Sequence, residues 1–399
     1  MNKKNLTLIV SGLKAGGQER VAARLTYMLR DDYNVKMIVV DGREINYEVG
    51  CEYRCMNLYP KSKSIEKLFI AIKRIIVARR IKKEWSTDIS MSFGTTCDYI
   101  NAFSKVKDIV FLSIRGYKDV AVPPDLIRKV WNNILYSKAK AIICVSKIIV
   151  NRGKALYPKS SSKFENLYNP YDFKQINKLR KKDLTCYNDL FRNNKVIISV
   201  GTFRYEKGYW HLVKAFSLIK PEYPEIKLFI MGSEQPGHKC KLAKLVLDLG
   251  LSDDVILAGF DENPLKYIDK SEIYVLSSVF EGFPNALVEA MACSVPVVAT
   301  DCKSGPREIL SESDPFAIAT NIEHQDYGLL VPPMSIVENY DPDAIEECDR
   351  QLALAIECYL SDESLADEYA NRARTGAERF TEAVCYMSLR NIIKGCEST

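Results

Sequence analysis

Short runs of β-branched and aliphatic residues alternate with helical patterns along the whole chain. This alternation is typical of parallel sheets covered by helices, because a crossover segment must join two parallel strands. The runs fall into two series, residues 6–10, 35–40, 89–93, 109–113 and 141–145, then residues 196–200, 227–231, 255–258, 273–276 and 295–299. The sequence therefore predicts an α/β protein with two doubly wound, Rossmann-like sheets.

The two series are separated by a polar segment in which Pro170 interrupts the pattern. A chain of 399 residues is long enough for two domains. We expect an N-terminal domain at 1–172, a C-terminal domain at 173–378 that begins with a linker at 173–194, and a final helix at 379–399. Ligands of open α/β sheets bind at the carboxyl ends of the strands, so we expect the active site in a cleft between the domains.

The composition excludes several classes of protein. Apolar residues make up 47% and charged residues 27%, as in average globular proteins, and no apolar run reaches the ~20 residues that span a bilayer. The net charge of +5 is too small to indicate nucleic-acid binding. The 12 cysteines are scattered, which predicts free thiols and a cytoplasmic protein.

The positive charge is concentrated in residues 61–83, where only Glu66 opposes a series of lysines and arginines that alternate with apolar residues. The pattern predicts a basic amphipathic helix. In one interpretation the apolar face packs on the first sheet and the charges are solvated. In the other, which we favour, the cations also lie near anionic lipid at the inner face of the cell membrane, at ~1 kcal/mol per charge.

The most informative segment for chemistry carries two glutamates, Glu281 and Glu289, just after a predicted buried strand. Gly282 and Pro284 interrupt a helix, so the helix should begin at about Asn285. Glu281 then lies on a loop and Glu289 on the helix, an arrangement that lets both reach one ligand.

The first turn of this helix predicts an anion site, because its backbone N–H groups and the helix dipole favour negative charge. The N–H groups would come from Asn285, Ala286 and Leu287, and the preceding Phe283 and Pro284 would also belong to the donor-binding residues. A diphosphate fits there, while carboxylates suit sugar hydroxyls, so the implied ligand is a nucleotide diphosphate sugar. The alternative is an ordinary amphipathic helix with a solvated glutamate.

A glycine turn between Gly201 and Gly208 follows the first strand of the second series. The turn can bring Arg204 and Lys207 to the same diphosphate, where positive charge stabilises a departing nucleotide. We prefer Lys207 of the two. As an ordinary surface turn, the segment would leave both cations solvated.

Taken together, these segments resemble the retaining, metal-independent glycosyltransferases of family 4, which have the GT-B fold. The resemblance covers nearly the whole chain, and the order of its motifs is more specific than any one of them. The motifs are the Glu-x7-Glu pair, the turn at 201–208, and residues 12–21, 167–172, 304–309 and 327–333.

The resemblance implies a role for each matching residue. Glu281 would approach the donor sugar, Glu289 would hold the ribose hydroxyls, and Lys207 would contact the diphosphate. The loop of Gly16 and Gly17 would close over the donor. The final helix would cross back to pack on the N-terminal domain.

Two positions depart from the family pattern. The family usually has an arginine directly after the first glycine of the turn, where this chain has Thr202, so we hypothesise that Arg204 substitutes for it. Many members have a histidine after the fourth strand of the first domain, where this chain has Arg115. We expect Arg115 to contact phosphate and not to act as a base, because a guanidinium group does not deprotonate in proteins.

The implied reaction transfers a hexose-type sugar, with retention, from a nucleotide diphosphate sugar to a glycan or lipid-linked acceptor. Such reactions assemble capsule, O antigen and exopolysaccharide, and UDP is the preferred nucleotide. We expect no cofactor and no metal. A front-face route is implied, in which the leaving diphosphate accepts the acceptor's proton, while a covalent route through Glu281 stays open.

Two other functions remain as alternatives. An NAD-dependent oxidoreductase is suggested by Asp41, which ends a strand after a glycine-rich loop, although that loop is not G-x-G-x-x-G. A lipid-binding scaffold with a decayed site is the other. Asp341 and Asp343 match a metal-binding D-x-D motif, but with Pro342 between them they are more typical of a helix start.

Overall fold

The computed structural model describes residues 3–14, 16–60, 64–121 and 123–397. The chain folds into two compact units, one formed by Met1–Pro170 with Glu382–Thr399 and the other by Tyr171–Thr381. The boundary after Pro170 thus lies two residues before the predicted one. The C-terminal segment belongs to the first unit from Glu382 onward.

The first unit alternates strands and helices, as a parallel sheet requires. Its elements are β1 (Lys4–Val10), α1 (Gly17–Leu29), β2 (Tyr33–Val39), β3 (Glu52–Cys55), α2 (Ser64–Glu84), β4 (Ile89–Phe93), α3 (Thr95–Phe103), β5 (Ile109–Ile114), α4 (Lys118–Ala121), α5 (Leu126–Lys138), β6 (Ala141–Cys144), α6 (Lys147–Leu156) and β7 (Phe164–Asn166).

The second unit repeats this alternation and adds two long helices at its end. Its elements are α7 (Phe173–Arg180), α8 (Asn188–Asn193), β8 (Lys195–Val200), α9 (Tyr209–Ile219), β9 (Ile226–Met231), α10 (His238–Asp248), β10 (Val255–Ala258), α11 (Leu265–Ile268), β11 (Ile273–Leu276), α12 (Asn285–Ala292), β12 (Val297–Thr300), α13 (Pro306–Leu310), β13 (Glu323–His324), β14 (Leu329–Val331), α14 (Glu347–Ser361) and α15 (Glu363–Ala377). The last helix, α16 (Glu382–Glu397), belongs to the first unit.

Each unit contains one sheet with the strand order of a doubly wound fold. In the described residues the first sheet has the order β3-β2-β1-β4-β5-β6-β7 and the second β10-β9-β8-β11-β12-β14-β13. Their strand pairs are parallel except for β13 with β14. The predicted α/β class and all ten predicted strand runs are confirmed. The sequence missed β3, β7, β13 and β14, which have two to four residues and show too little alternation to be recognised.

Two local predictions are wrong. The proposed linker at 173–194 contains α7 and α8, because the carboxylate of Asp172 accepts the Gln175 N–H at 2.9 Å and so caps a new helix. Asp341 and Asp343 do not lie in a first helical turn. The helix begins at Glu347, and the side chains of Glu346 and Asp349 form its capping box.

The first sheet is covered on both faces. On one face α1 packs with α16, whose Cys385, Leu389 and Ile393 belong to the same core as the β1 side chains. On the other face α2 and α3 pack against Ile9 and Ile38. In the part of the chain that the structure describes, no helix has both the length and the apolar character needed to cross a membrane.

The predicted basic helix is confirmed as α2, although Lys61 and Lys63 of the predicted range lie outside the described residues. Its end is buried, where Ala78 and Ile81 belong to the core. Leu68, in its first half, is 65% exposed. The interpretation in which the apolar face simply packs on the sheet is therefore wrong for the first half of this helix.

Candidate functional site

The glycine turn and the glutamate loop of the second unit lie side by side because β8 and β11 are neighbouring parallel strands. The turn begins at Gly201, directly after β8, and the loop begins at Ser277, directly after β11. The carboxyl ends of parallel strands lie on one edge of a sheet. Two segments that are about 75 residues apart in sequence therefore meet at this edge.

Lys207 and Glu281, both predicted as site residues, form a direct ion pair. Lys207 Nζ lies 2.7 Å from Glu281 Oε1, and the two side chains are 11% and 9% exposed. The Ser278 hydroxyl donates to the same oxygen at 2.7 Å. The Ser278 carbonyl in turn accepts from Thr300 Oγ1 at 2.6 Å, so the glutamate loop is also held to β12. The two side chains are thus slightly exposed to solvent, and contacts with the segments that follow β8 and β11 and with β12 fix their position.

Glycines permit the close approach of the two segments. Gly208 has φ +59°, and a Cβ there would lie 2.3 Å from the Ser277 carbonyl oxygen. The Ser277 hydroxyl donates to the Lys207 carbonyl at 3.0 Å. At Gly201 a Cβ would lie 2.6 Å from Lys207 Cε. Only glycine fits at these positions without moving the lysine or its loop.

The other two predicted residues of the turn have neighbours of their own. Arg204 is 41% exposed in its side chain, and its Nε lies 3.6 Å from Glu206 Oε2. The Thr202 hydroxyl lies 2.9 Å from Ser233 Oγ. The structure thus brings Lys207 to Glu281, while it pairs Arg204 with Glu206.

The helix that carries Glu289 begins at Asn285, as predicted, and Pro284 precedes it. The Leu287 N–H already donates to the Pro284 carbonyl at 3.1 Å, and the Leu287 side chain is fully buried. Of the N–H groups predicted for the anion site, that of Leu287 thus already takes part in a turn at the start of the helix, and the anion site stays a prediction. The Asn285 side-chain oxygen accepts from the Tyr171 hydroxyl at 2.6 Å.

Glu289 is 5% exposed and Phe283 7% exposed. Phe283 packs edge-on against Phe380, with ring centroids 5.3 Å apart. The loop after β12 supports the same segment, because Ser304 Oγ donates to the Gly282 carbonyl at 2.8 Å. These contacts hold the segment between the two glutamates from both sides.

Sequence reasoning missed the serines of this site. Ser277 and Ser278 follow β11 directly, and their hydroxyls position Lys207 and Glu281. Their place at the carboxyl end of a predicted strand could have identified them. Ser304 begins one of the motifs at 304–309, but its contact with the Gly282 carbonyl depends on how the loop after β12 folds.

Burial controls the protonation of the groups around the pair. It raises the pKa of the Tyr209 phenol, and the charge of Glu281 raises it further. Tyr209 therefore stays neutral and donates to the Gly201 carbonyl at 3.0 Å. Burial also raises the pKa of the Cys302 thiol, with Glu281 adding to the effect. Two groups near the ion pair, the Tyr209 phenol and the Cys302 thiol, are thus neutral.

Residues 188–330 match the family described as glycosyl transferases, group 1. Over 392 residues the chain is 28% identical to the N-acetylgalactosamine-N,N'-diacetylbacillosaminyl-diphospho-undecaprenol 4-alpha-N-acetylgalactosaminyltransferase of Campylobacter jejuni, covering 94% of this chain and 96% of that one. It is 33% identical over 232 residues to an uncharacterized glycosyltransferase of Methanocaldococcus jannaschii, covering 56% of this chain and only 55% of that relative. The protein is a glycosyltransferase.

Solved structures show the fold of this glycosyltransferase. Sucrose-phosphate synthase of Thermosynechococcus elongatus superimposes with a TM-score of 0.78 at 17% identity, covering 99% of this chain and 100% of the other. HepE of Anabaena, solved in complex with UDP, gives a TM-score of 0.71 at 16% identity and covers 98% and 100%. The glycosyltransferase therefore has the GT-B fold that the sequence predicted.

The first unit of the glycosyltransferase carries the remaining predicted residues at the carboxyl ends of its own strands. Gly16 is the N-cap residue of α1 and Gly17 its first residue. The Gly16 carbonyl accepts the Arg20 N–H at 3.0 Å. Arg115 directly follows β5, and its Nη2 donates to Asn169 Oδ1 at 2.6 Å. These residues occupy the edge of the first sheet at which ligands of such folds bind.

The oxidoreductase alternative depends on the carboxylate of Asp41, which already pairs with an arginine. Arg43 Nη2 lies 2.6 Å from Asp41 Oδ2. The hydrogen bond from Arg43 holds the pKa of the Asp41 carboxyl well below its usual range. This carboxylate is tied to its neighbour two residues along the chain, not presented to a ribose.

Among the described residues, one group has the spacing of metal ligands: His211, Cys348 and Asp349. His211 and Asp349 are fully buried, with Nδ1 2.5 Å from Oδ1. Burial lowers the pKa of His211, but the hydrogen bond to Asp349 and the contact with Cys348 outweigh it and raise the pKa to about 9. With His211 protonated, His211 and Asp349 form an ion pair that joins α9 to α14.

Proposed function

We propose that this glycosyltransferase transfers a hexose-type sugar, with retention, from a UDP-sugar to a glycan or lipid-linked acceptor, and that it needs no metal and no cofactor. The observation that carries the proposal is the ion pair of Lys207 and Glu281, whose charged atoms lie 2.7 Å apart. A cation suits a diphosphate and a carboxylate suits sugar hydroxyls, so the pair can hold both parts of the donor.

Similar proteins support the choice of substrates. HepE of Anabaena has been solved with UDP-glucose as well as with UDP, which favours a UDP-linked donor. The Campylobacter relative is named for a diphospho-undecaprenol acceptor, which favours a lipid-linked one. A Staphylococcus aureus relative, 29% identical over 307 residues, is named for capsular polysaccharide biosynthesis. Assembly of a surface polysaccharide is the setting that these names favour.

The geometry at Glu281 favours a front-face route. Glu281 Oε1 accepts hydrogen bonds from both Lys207 and Ser278, which reduces the nucleophilicity of that oxygen. In this route the bond from the anomeric carbon to the diphosphate oxygen breaks as the acceptor oxygen bonds to the same face. The acceptor's proton passes to the leaving phosphate oxygen. Lys207 stabilises the negative charge that develops on the diphosphate.

The remaining predicted residues take supporting roles in the proposal. Glu289 holds the ribose hydroxyls, and the backbone of Asn285 and Ala286 faces the diphosphate. Gly16, Gly17 and Arg115 are the further residues that the proposal assigns to donor binding. The protein works at the inner face of the cell membrane, where α2 provides exposed lysines and arginines, such as Lys73 and Arg80.

The donor site is tested by thermal unfolding with UDP, GDP, ADP and NAD, because a ligand specific to the folded state raises its midpoint. We expect UDP to raise the midpoint and Glu289→Ala to abolish that shift. Glu222→Ala, which removes an exposed glutamate of the same unit, is the matched control and should keep it. A shift with NAD alone would overturn the proposal, and no shift with any nucleotide would favour the lipid-binding scaffold.

The stereochemistry and the metal independence need their own experiment. With an α-linked UDP-sugar, NMR of the product should show an α-linkage, and EDTA should leave the rate unchanged. A β-linked product would contradict retention. Loss of activity in EDTA, restored by a divalent cation, would contradict metal independence.

A further inference from the structure

The chain passes between the two units twice, and residues from the two crossings pair with each other. The first crossing falls between Pro170 and Tyr171 and the second between Thr381 and Glu382. Tyr171 forms a parallel β-bridge with Thr381, and its N–H donates to the Phe380 carbonyl at 2.9 Å. We call Tyr171, Phe380 and Thr381 the crossing residues. They join two segments that are far apart in sequence.

The local sequence fixes the backbone of the first crossing. Pro170 holds its own φ at about −65° and disfavours a helical conformation at Asn169. Directly after Tyr171, the Asp172 carboxylate accepts the Gln175 N–H at 2.9 Å and starts α7. Tyr171 therefore lies between a proline and a helix cap, and it is 5% exposed.

The second crossing is anchored by the arginine that precedes it. Arg379 donates to the Ile309 carbonyl near the end of α13, and its guanidinium lies 4.6 Å from the centroid of the Tyr327 ring. Phe380 follows directly and is 2% exposed. Both aromatic crossing residues are thus buried and held in place.

The side chains of these two aromatic residues contact the segment that carries the glutamates of the candidate site. The Tyr171 hydroxyl donates to Asn285 Oδ1 at 2.6 Å, at the first residue of α12. The Phe380 ring packs edge-on against Phe283, with ring centroids 5.3 Å apart. Both contacts therefore fall between Glu281 and Glu289.

The loop after β12 supports the residues that alternate with Phe283 and Asn285. The Ser304 hydroxyl donates to the Gly282 carbonyl at 2.8 Å. Gly305 has φ +96°, and a Cβ there would lie 2.6 Å from Pro284 Cδ. Each of the four residues from 282 to 285 is therefore held by a tertiary contact, and two of these contacts come from the crossing residues.

The hydrogen bond from Tyr171 fixes the orientation of the Asn285 side chain and, with it, the entry of the chain into α12. In the proposed function the first turn of α12 faces the diphosphate of the donor. A turn whose N–H groups are already oriented binds an anion without a further ordering cost. Loss of the tyrosine hydroxyl should therefore weaken donor binding even without a direct contact.

We propose that Tyr171 and Phe380 are positioning residues for the nucleotide donor, which act through Asn285 and Phe283. This inference rests on the proposed function, because it needs a nucleotide diphosphate at α12. Coupling between two sites is reciprocal. A donor that binds more tightly when the crossing residues are paired must therefore stabilise that pairing by the same factor, at the place where the chain passes between the units.

The first test measures donor binding in Tyr171→Phe, which removes only the hydroxyl. We expect the dissociation constant of UDP, measured by calorimetry, to rise about fivefold through the loss of one neutral hydrogen bond. The KM for the UDP-hexose that the protein hydrolyses fastest should rise similarly. Its kcat should change by less than about twofold, because the first turn holds the diphosphate in the ground state and the transition state alike.

A tyrosine elsewhere in the second unit provides the control. The Tyr369 hydroxyl lies 3.3 Å from His324 Nδ1, and Tyr369 is 3% exposed. Tyr369→Phe thus removes a hydroxyl from a similarly buried ring that makes no contact with α12 through that group. We expect it to leave the dissociation constant of UDP and the KM unchanged.

A double variant tests whether Tyr171 acts through Asn285. Once Asn285→Ala has removed the acceptor, the hydroxyl has no partner there to position. Adding Tyr171→Phe to Asn285→Ala should therefore weaken UDP binding no further. Additive losses would contradict the proposed route.

The second positioning residue has its own pair of variants. Phe380→Leu removes the ring contact with Phe283 and should raise the dissociation constant of UDP about threefold. Phe229→Leu changes a fully buried phenylalanine of β9 and should lower stability without changing UDP binding. Equal losses of UDP affinity in the two variants would mean that Phe380 acts only through stability.

Hydrogen exchange measures the reciprocal effect. Because the Tyr171 N–H donates to the Phe380 carbonyl, saturating UDP should slow the exchange of this amide about fivefold in the unmodified protein. Tyr171→Phe should lose that slowing. A purely structural role would change exchange equally with and without UDP.

Three results would overturn the inference: an unchanged UDP affinity in Tyr171→Phe, an equal loss in Tyr369→Phe, or exchange at Tyr171 that does not depend on UDP. Calorimetry of the unmodified protein separates this inference from the proposed function. Absence of UDP binding there would reject the proposed function and this inference with it. UDP binding that Tyr171→Phe leaves unchanged would reject this inference alone.

Discussion

Helices α9 and α5 are both rich in apolar residues, but the protein uses them in opposite ways. Helix α9 packs against α14, and Trp210 and Phe216 on it are 1% and 0% exposed. Helix α5 buries one face and leaves Leu126 78% and Ile127 72% exposed. Apolar content alone therefore does not mark a core helix. A helix becomes core when a second layer packs over it.

The same contrast separates the polar groups of the two helices. Buried in the core, α9 holds His211 and Lys214, which are satisfied by Asp349 and by the Ala344 carbonyl. Lys129 on α5 is exposed. The polar groups named on α9 are thus paired inside the core, whereas this lysine of α5 faces solvent.

The largest expected effect on stability comes from removing a core ring of α9. Phe216→Ala should lower the free energy of unfolding by about 3–5 kcal/mol, because it leaves a cavity in a fully buried position. Ile127→Ala on α5 should change it by no more than about 0.5 kcal/mol. Urea unfolding followed by circular dichroism measures both. Equal effects of the two substitutions would remove the distinction between core and surface helix.

The next largest effect concerns the site that the second unit holds. Lys207→Ala should reduce turnover by about 10²- to 10³-fold, because in the proposed mechanism it removes the cation that faces the leaving diphosphate. UDP release in a steady-state assay measures this loss. Arg204→Ala should cost less, since Arg204 pairs with Glu206 at the surface. Full activity of Arg204→Ala would reject the idea that Arg204 replaces the arginine missing at Thr202.

The buried ion pair between His211 of α9 and Asp349 of α14 makes the stability of the protein depend on pH. The pKa of His211 is about 9 in the folded protein, above its usual value near 6.5 in an unfolded chain, so the folded state binds the proton more tightly. The ion pair of His211 therefore adds to the free energy of unfolding. This stabilisation is fully present below pH ~6.5 and is lost as the pH rises through about 9. Urea unfolding between these pH values should show the decline.

His211→Asn should flatten that decline, whereas His324→Asn, at an exposed histidine, should leave it unchanged. An unchanged slope in His211→Asn would show that His211 is not the titrating group.

The smallest expected effect lies within α2. Phe69→Ala should change the free energy of unfolding by about 0.5 kcal/mol or less, because that ring is 56% exposed. Ile81→Ala, at 8% exposure in the same helix, should cost about 2–5 kcal/mol. Thermal and urea unfolding of the two variants compare them. A large loss in Phe69→Ala would mean that this exposed ring of α2 serves the fold and is not an available surface.

Much of the site could be predicted because its elements have local causes. Gly282 and Pro284 interrupt a helix, so the start of α12 at Asn285 followed from sequence. The ends of β8 and β11 were visible as ends of apolar runs. The helices in the predicted linker were not, because Asp172 caps α7 in a segment where charged residues obscure the pattern.

The sequence by itself determined where the ten longer strands lie, where the glycine turn and the glutamate loop occur, and which residues bear charge, since each of these depends on neighbours along the chain. Tertiary structure decided that Ser278 shares Glu281 with Lys207, because β8 and β11 become neighbours only when the sheet forms. It also decided that α9 is buried and α5 exposed. Burial depends on which elements pack over a helix, and that is a property of the whole fold.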